Sequence, residues 1–229
     1  MDPAVPLRRE PESPFLGRGP DQYGQAGDLH QSERLTLPHR LSNGQIIEFS
    51  IIGYTGMYTV LSAPISSRGV GPPVRPAGTL ETGHDSGQVD KRLGWTAVYF
   101  PQPLGFQAEW NVGRGPALND AQTAVVDRAL CGVYAMTMLR HKTCNYGDFW
   151  PFTRWSYYKG GYKAERNAPY ALIDEYEVGV EWQVNKYVEL TTMYTFTDRT
   201  NTRAESIANQ RSYEQFVGDL LRFQLQVND

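Results

Sequence analysis

The chain lacks most of the features that identify a protein's chemistry directly. It has 229 residues but only two cysteines and four histidines, and the histidines do not have the spacing of metal ligands. No apolar run approaches the roughly 18 residues that a transmembrane helix needs. The N-terminus lacks the apolar core of a signal peptide. The net charge of −3 gives no basic excess that would favour nucleic acid as a partner.

Sequence features of an enzyme are also scarce. The segment 83–87 (GHDSG) combines serine, histidine and aspartate, but it lacks the G-x-S-x-G spacing of a nucleophile elbow. Glu175 and Glu177 would lie about 6.7 Å apart on one face of a strand, a separation that some glycosidases use. A row of carboxylates on a wet surface explains that pair more simply. We therefore predict no catalytic residues, no cofactor and no metal, and the chain is not expected to be an enzyme.

What the sequence does contain is a regular alternation of apolar and polar residues, clearest between residues 175 and 197. Even-numbered positions there are mostly apolar or aromatic, and odd-numbered positions are mostly glutamate, glutamine or threonine. A period of two is typical of a β-strand, because successive side chains point to opposite faces. The segment predicts an antiparallel hairpin with one apolar face and one carboxylate-rich face.

The parity of this hairpin predicts its register. Directly opposed residues of an antiparallel pair share a face, and both apolar sets are even-numbered, so the loop should hold an odd number of residues. We expect the loop to be 185–187, with Trp182 opposite Leu190 and Gln183 opposite Glu189.

Alternation elsewhere predicts about eight strands in an all-β, antiparallel fold. Residues 1–42 are rich in proline, glycine and charge, and are expected to form an irregular or disordered arm before a barrel segment at 43–229. Thr123–Arg140 alternates acceptably, and although Asn119 could cap a helix over the same residues, a strand is favoured because a lone helix would break the series of hairpins. The other predicted strands are 45–61, 93–100, 106–112, 150–158 and 220–228, besides the two of the hairpin.

The predicted loops alternate between long and short. The long loops are 63–90, 113–122, 159–171 and 198–215, and the short ones are 101–105, 141–148 and 185–187. In a meander, alternate connections lie at the same end of the sheet. Tight turns at one end and longer loops at the other are typical of outer-membrane β-barrels. The loop lengths therefore favour a transmembrane barrel over a soluble sheet.

Four runs together resemble the C-terminal half of the phosphate-selective porin O and P family: FQAEWNVGRGPALN, PFTRWSYYKGGYKAE, EYEVGVEWQVNKYVELTTMYTF and LLRFQLQVN. The similarity extends from Leu93 to Asn228, and more thinly from Gln45 to Pro64. The resemblance implies half of a barrel of about sixteen strands, in the outer membrane of a bacterium. It implies contact with outer-membrane lipid, a homotrimer, and passage of phosphate, other inorganic anions or small solutes. Family chains begin with a signal peptide and further N-terminal strands, so this chain is expected to be a fragment. Outer-membrane chains typically end in an aromatic residue, whereas this chain ends in Asn228 and Asp229, which argues against autonomous insertion.

The alternation assigns roles to three sets of residues. The polar faces should line a pore, the cations of the long loops should steer anions, and the aromatics should form girdles at the membrane interfaces. The expected pore-lining residues are Glu109, Arg154, Glu175, Glu177, Glu181, Glu189, Arg222 and Gln224. The expected anion-steering residues are Arg114, Lys159, Lys163, Arg166, Arg199 and Arg203. The expected girdle consists of Trp95, Tyr99, Phe106, Trp110, Trp155, Trp182, Tyr194, Phe196 and Phe223.

Two alternatives stay open at this point. Anion selection favours arginine along the pore wall, yet the predicted polar faces carry more glutamates than arginines, and Arg154 and Arg222 could simply pair with glutamates across the wall. The chain could also form a self-closed eight-stranded barrel, or a soluble β-sheet that serves as a binding or structural module without a conducting pore.

Overall fold

A computed structural model describes residues 31–65, 74–82, 87–100, 103–143, 145–202 and 213–227. The described part of the chain is all-β, with ten strands and a single 3-10 turn at Leu80–Thr82. The strands are β1 Gln31–Arg40, β2 Ile46–Tyr58, β3 Gln88–Tyr99, β4 Leu104–Leu118, β5 Val125–Leu139, β6 His141–Lys142, β7 Asp148–Gly161, β8 Tyr170–Gln183, β9 Val188–Thr202 and β10 Tyr213–Val227. Among these residues, no helix has the length and apolar character needed to span a membrane.

All strands belong to one antiparallel sheet in which the nine long strands lie in chain order. The two-residue β6 pairs only with β7, so β5 and β7 are neighbours in the main path. Within the described strands, no pairing joins β1 to β10, and the sheet is open. Because every consecutive pair is antiparallel, alternate connections lie at the same end. One end carries the connections from β1 to β2, β3 to β4, β5 to β7 and β8 to β9, and the other end, which we call the rim, carries those from β2 to β3, β4 to β5, β7 to β8 (162–169) and β9 to β10.

The hairpin that dominates the sequence pattern and its predicted register are confirmed. Trp182 lies opposite Leu190 and Gln183 lies opposite Glu189, as the parity argument predicts. The segment Thr123–Arg140 is a strand and not a helix, since β5 pairs along most of its length with β4 on one side and with β7 on the other.

Two boundary predictions are wrong. A strand, β1, occupies Gln31–Arg40, within the range expected to be irregular, and residues 1–30 of that range lie outside the described residues. Strand β1 is the first strand of the described sheet and contains Pro38, which lies opposite Glu48 in the register and has no N–H to donate to a ladder hydrogen bond. The strands also extend further toward the rim than expected, so that residues 113–118, 159–161 and 198–202 lie in strands. With β1 and the two-residue β6, which lies within the predicted turn 141–148, the described strands number ten and not about eight.

Burial on the two faces of the sheet is the reverse of that in a soluble domain. The register places Trp110 and Phe223 on the apolar face, where they are 51% and 67% exposed, with no second layer of described residues above them. Glu109 and Glu177 lie on the polar face and are only 4% exposed. Apolar side chains normally occupy protein interiors, and glutamates are almost never fully buried unless they are paired. This distribution is expected for a sheet with an apolar solvent outside and polar groups inside.

The apolar core of the described residues is small and lies at the rim. It consists of Val60, Val125 and Ala168, with Tyr58 packed against them. These residues come from the ends of β2 and β5 and from the loop before β8, so this core joins three connections and does not support the length of the strands. The strands are held together mainly by their ladder hydrogen bonds and cross-strand side-chain pairs.

A charge on the apolar face should distinguish a membrane sheet from a soluble one. Val178 lies near the middle of β8, is 50% exposed and should face lipid. We predict that Val178→Arg lowers the free energy of unfolding from lipid vesicles by about 2–4 kcal/mol, because an arginine near the bilayer midplane must be desolvated. Urea titration in vesicles measures this.

Thr191→Arg provides the matched control, because Thr191 lies on the polar face of β9 opposite Glu181. We expect Thr191→Arg to change the free energy of unfolding by less than about 0.5 kcal/mol, as is usual for a substitution at a hydrated surface. Equal effects of the two arginines would contradict the assignment of the faces.

Candidate functional site: the polar face and the rim

All eight residues predicted to line a pore lie on the polar face of the sheet. The register that pairs Glu109 with Tyr134, and Tyr134 with Ser156, continues strand by strand to Arg222 and Gln224 in β10. Sharing a face does not bring the residues into one cluster. They are distributed along β4, β7, β8, β9 and β10.

A largely buried ion pair near the middle of the polar face joins Arg154 of β7 to Glu177 of β8. The two residues are direct cross-strand partners, and the guanidinium contacts the carboxylate. The Thr195 hydroxyl of β9 donates a hydrogen bond of 3.1 Å to the same carboxylate. The side chain of Glu177 is 5% exposed and that of Arg154 is 25% exposed. Arg154 thus neutralises a wall carboxylate and holds β7 against β8.

Four other carboxylates of the wall, Glu109, Glu175, Glu181 and Glu189, have neutral neighbours. The Asn111 amide contacts the carboxylate of Glu109. Thr197 donates to Glu175 at 3.1 Å, and Gln183 donates to Glu181 at 2.7 Å. Glu189 lies next to Gln183 in the register. These four carboxylates have no cation at ion-pair distance within the described residues, so the wall of β4, β8 and β9 carries a net negative charge.

A second polar cluster, at β1 and β2, was not predicted from the sequence. Arg34 lies 3.3 Å from the Glu48 carboxylate and 3.2 Å from the Ser50 hydroxyl, and the hydroxyls of Thr36 and Ser50 lie 3.1 Å apart. The alternation of Arg34 and Thr36 with Leu35 and Leu37 was a signal for this strand, but it fell within the segment expected to be irregular.

The rim end of the polar face carries a buried cluster of two cations and one carboxylate. Arg92 donates to both oxygens of Asp90, at 3.2 and 3.3 Å, and the Lys163 ammonium contacts the same carboxylate. Asp90 is 1% exposed. The Lys163 ammonium also lies 4.6 Å from the centroid of the Tyr58 ring. Burial, together with the positive charge of Arg92, lowers the pKa of Lys163 from 10.5 to about 8, despite the opposing effect of Asp90.

A cavity of about 160 Å³ lies beside this cluster, beneath the connection 162–169. Its lining combines residues of the polar face, including Arg92, Asn111 and Tyr158, with Tyr162 and Lys163 of the connection. The connection therefore lies over the inner side of the sheet. Sequence reasoning missed Asp90 and Arg92 because Asp90 was placed in the loop 63–90 and Arg92 was not assigned a role.

The predicted anion-steering residues do not all lie in loops. Arg114 is in β4 on the apolar side of the sheet, where its guanidinium pairs with Asp127 at 2.8 Å, and Lys159 is in β7 on the same side. Arg199 is in β9 on the polar side and pairs with Glu165 at 2.8 Å. Lys163 and Arg166 do lie in a connection, and Arg203 is outside the described residues. The loop assignments of the three strand residues were wrong because the strands run further toward the rim.

All nine residues of the expected aromatic girdle lie on the apolar face. Trp95 and Trp110 are cross-strand partners whose rings stack with centroids 5.2 Å apart. Tyr194 and Phe196 form an edge-to-face pair at 4.7 Å. Trp182 stacks on Phe149, a residue absent from the expected girdle, at 5.4 Å. The aromatics therefore brace neighbouring strands as well as covering the outer surface.

The Arg154–Glu177 pair should show strong energetic coupling. We predict that Arg154→Met lowers the free energy of unfolding by about 3 kcal/mol, because it leaves the Glu177 carboxylate buried without a cation. In the double variant Arg154→Met/Glu177→Gln the loss should be smaller than in Arg154→Met alone. Chemical denaturation of the wild type, Arg154→Met, Glu177→Gln and the double variant in lipid vesicles gives the coupling energy. Additive effects of the two substitutions would show that the contact is energetically unimportant.

Comparison with known proteins agrees with this geometry. The family model described as phosphate-selective porin O and P matches residues 76–228, which is more than half of the chain. No curated protein and no solved structure matches the chain. The family's proteins are porin-type channels of the bacterial outer membrane, and an all-β sheet with an apolar outer face and a charged inner face is the structure that such a channel needs. The chain belongs to the phosphate-selective porin O and P family.

Proposed function

We propose that the chain forms part of a passive diffusion channel for small solutes, among them phosphate and other small anions, in the bacterial outer membrane. The observation that carries this proposal is the reversed burial of the two faces, with Glu109 and Glu177 inside and Trp110 and Phe223 outside. Polar partners satisfy these carboxylates on the face turned to the lumen, and lipid covers the aromatics. Transport down a gradient needs no reacting group, so the proposal includes no enzymatic activity.

The open edges of the sheet support a barrel larger than the described part. In hydrocarbon, an unpaired strand edge leaves backbone N–H and C=O groups without partners, and only closed barrels avoid this cost. We infer that β1 and β10 pair with further strands of a longer polypeptide, so that this chain is a fragment of a barrel of about sixteen strands. The homotrimer that the family resemblance implies remains part of the proposal. A self-closed barrel without a pore would require β1 to pair with β10, which the described strands do not do.

The distribution of charge predicts that selectivity is set at two levels. At the rim end, Arg92 and Lys163 outnumber Asp90 by one charge, so this cluster keeps a net positive charge where a solute enters, whereas Arg166 and Arg199 are paired with Glu81 and Glu165. Deeper in the wall, Glu175, Glu181 and Glu189 have no ion-pair partner among the described residues and oppose the passage of anions. The described segment by itself should therefore give a weaker anion preference than a wall lined with arginine.

A substitution of Glu181 tests whether this carboxylate faces the ion path and whether its charge opposes anions. We predict that Glu181→Lys in the complete barrel shifts the reversal potential in a salt gradient toward anion preference. Two unit charges about 8 Å apart in water interact by about 0.5 kcal/mol, so replacing −1 by +1 should change the free energy of a passing ion by about 1 kcal/mol at low ionic strength. Single-channel recording in planar bilayers measures this.

Lys186→Glu is the matched control, because it also changes the charge by two units but lies in the exposed turn between β8 and β9. It should have a much smaller effect than Glu181→Lys. An unchanged reversal potential in Glu181→Lys would show that this carboxylate does not face the ion path, and absence of conductance in the wild-type barrel would overturn the proposed function itself.

A further inference from the structure

The connection 162–169 between β7 and β8 crosses the mouth of the sheet. In the sheet, β7 is separated from β2 by β3, β4 and β5. Residues of this connection nevertheless bind the last residue of β2 and the segment that follows it. The Tyr58 hydroxyl donates to the Lys163 carbonyl oxygen at 3.1 Å, and the Asn167 N–H donates to the Leu61 carbonyl oxygen at 2.8 Å. Since Tyr162 and Lys163 also lie beside inner-wall residues of the cavity, the connection spans three strands on the lumen side.

The Asn167 side chain provides a two-point clamp. Its oxygen accepts a hydrogen bond of 2.8 Å from the Ala63 N–H, and its amide donates one of 3.0 Å to the Ala63 carbonyl oxygen. Arg166 adds a bond of 2.8 Å to the Ser62 carbonyl oxygen. Ala168 is fully buried in the rim core with Val60 and Val125. These contacts seat the connection against the opposite part of the rim.

Two features oppose this seated position. Asn167 and Ala168 are consecutive residues with φ of 67° and 44°, in the left-handed region that an alanine side chain disfavours. Such backbone persists only where surrounding contacts enforce it, and it is frequent in segments that switch between conformations. The second feature is Lys163, a largely buried cation next to the Arg92–Asp90 pair.

We propose that the connection 162–169 is a movable gate of the channel, seated by the Asn167–Ala63 clamp and opposed by the left-handed backbone at residues 167–168 and by the buried Lys163. The inference rests on the proposed function, because a gate has meaning only in a conducting barrel. When the clamp releases, the connection leaves the inner wall, the backbone relaxes and Lys163 enters water.

The direction of the pH dependence follows from the environment of Lys163. The pKa of Lys163 is about 8 in the seated position against an ordinary value of 10.5, so the seated gate binds the proton less tightly than the released gate. Raising the pH from 8 to 10.5 therefore favours the seated, narrower state. The polar and charged groups that face Lys163 from the packed elements are Tyr58 of β2, Asp90 and Arg92 of β3, Asn111 of β4 and Tyr158 of β7.

Glycine substitutions at residues 167 and 168 separate the effect of the Asn167–Ala63 clamp from the effect of the left-handed backbone. Asn167→Gly removes the clamp and eases the left-handed backbone, so it should release the gate. Ala168→Gly keeps the clamp and relieves the strain of the seated state, so it should hold the gate more firmly. We expect the residue 167 amide to exchange its hydrogen about tenfold faster than in the wild type in Asn167→Gly, and more slowly in Ala168→Gly. The single-channel conductance should rise in Asn167→Gly and should not rise in Ala168→Gly. Hydrogen exchange and conductance are both measured on the complete barrel at neutral pH.

The variant Lys163→Met tests the pH dependence of the gate. The wild-type conductance should fall as the pH rises from 8 to 10.5, and the Lys163→Met channel should stay at the lower conductance throughout. Faster exchange in Asn167→Gly without any change of conductance would overturn the gate while leaving the channel intact, as would identical pH profiles of wild type and Lys163→Met. If the barrels fold and the variants differ from the wild type in hydrogen exchange, but the wild-type barrel conducts no ions, the proposed function and the gate are both overturned.

Discussion

The whole structure depends on one constraint, which is that a single-layer sheet must satisfy two different solvents with one chain. Successive residues of a strand point to opposite faces, so one register error would move every apolar side chain into the lumen and every glutamate into lipid. The parity is maintained across all nine long strands, from Thr36 and Ser50 at one edge to Arg222 and Gln224 at the other. Everything else, including the position of each ion pair, follows from this alternation.

Because the sheet has one layer, its stability has a different origin from that of a globular domain. The apolar cluster at the rim is small, and the outer aromatics bury their surface against lipid and against neighbouring strands. The inner wall is held by polar contacts such as Arg154–Glu177–Thr195, which links β7, β8 and β9. A buried carboxylate is costly unless it is paired, so the register is fixed from the polar side as strongly as from the apolar side.

The sequence was most informative where the alternation was long and unbroken. The register of the β8–β9 hairpin could be predicted because both apolar sets are even-numbered, and the nine aromatics of the outer face could be assigned for the same reason. Strand β1 was missed because Pro38 and the surrounding charges hide its short alternation. The strand ends at the rim were missed because glycines, prolines and charged residues such as Gly113, Arg114 and Pro116 are typical of loops, yet they pair here in the ladder of β4 and β5.

Contacts between distant connections could not be predicted at all. Lys163 and Asp90 are 73 residues apart, and Asn167 and Ala63 are 104 apart. No local pattern relates such residues, because their proximity results from the curvature of the sheet and the packing of the connections. The charge of the wall was also not readable from composition, since the pairing of Arg154 with Glu177 removes both from the charge that a passing ion meets.

These features also explain where the channel can change shape. The ladder hydrogen bonds along 14- and 15-residue strands such as β7, β8 and β9 fix the wall, and moving one strand would break a row of them at once. A connection at the rim can move by breaking a few bonds in water, where released groups are hydrated at little cost. Adjustment of the opening is therefore confined to segments such as 162–169, whose seated conformation already contains left-handed backbone and a buried cation. The rigid wall defines the path of the solute. Access to that path depends on the connection 162–169, where the clamp contacts oppose the left-handed backbone and the buried Lys163.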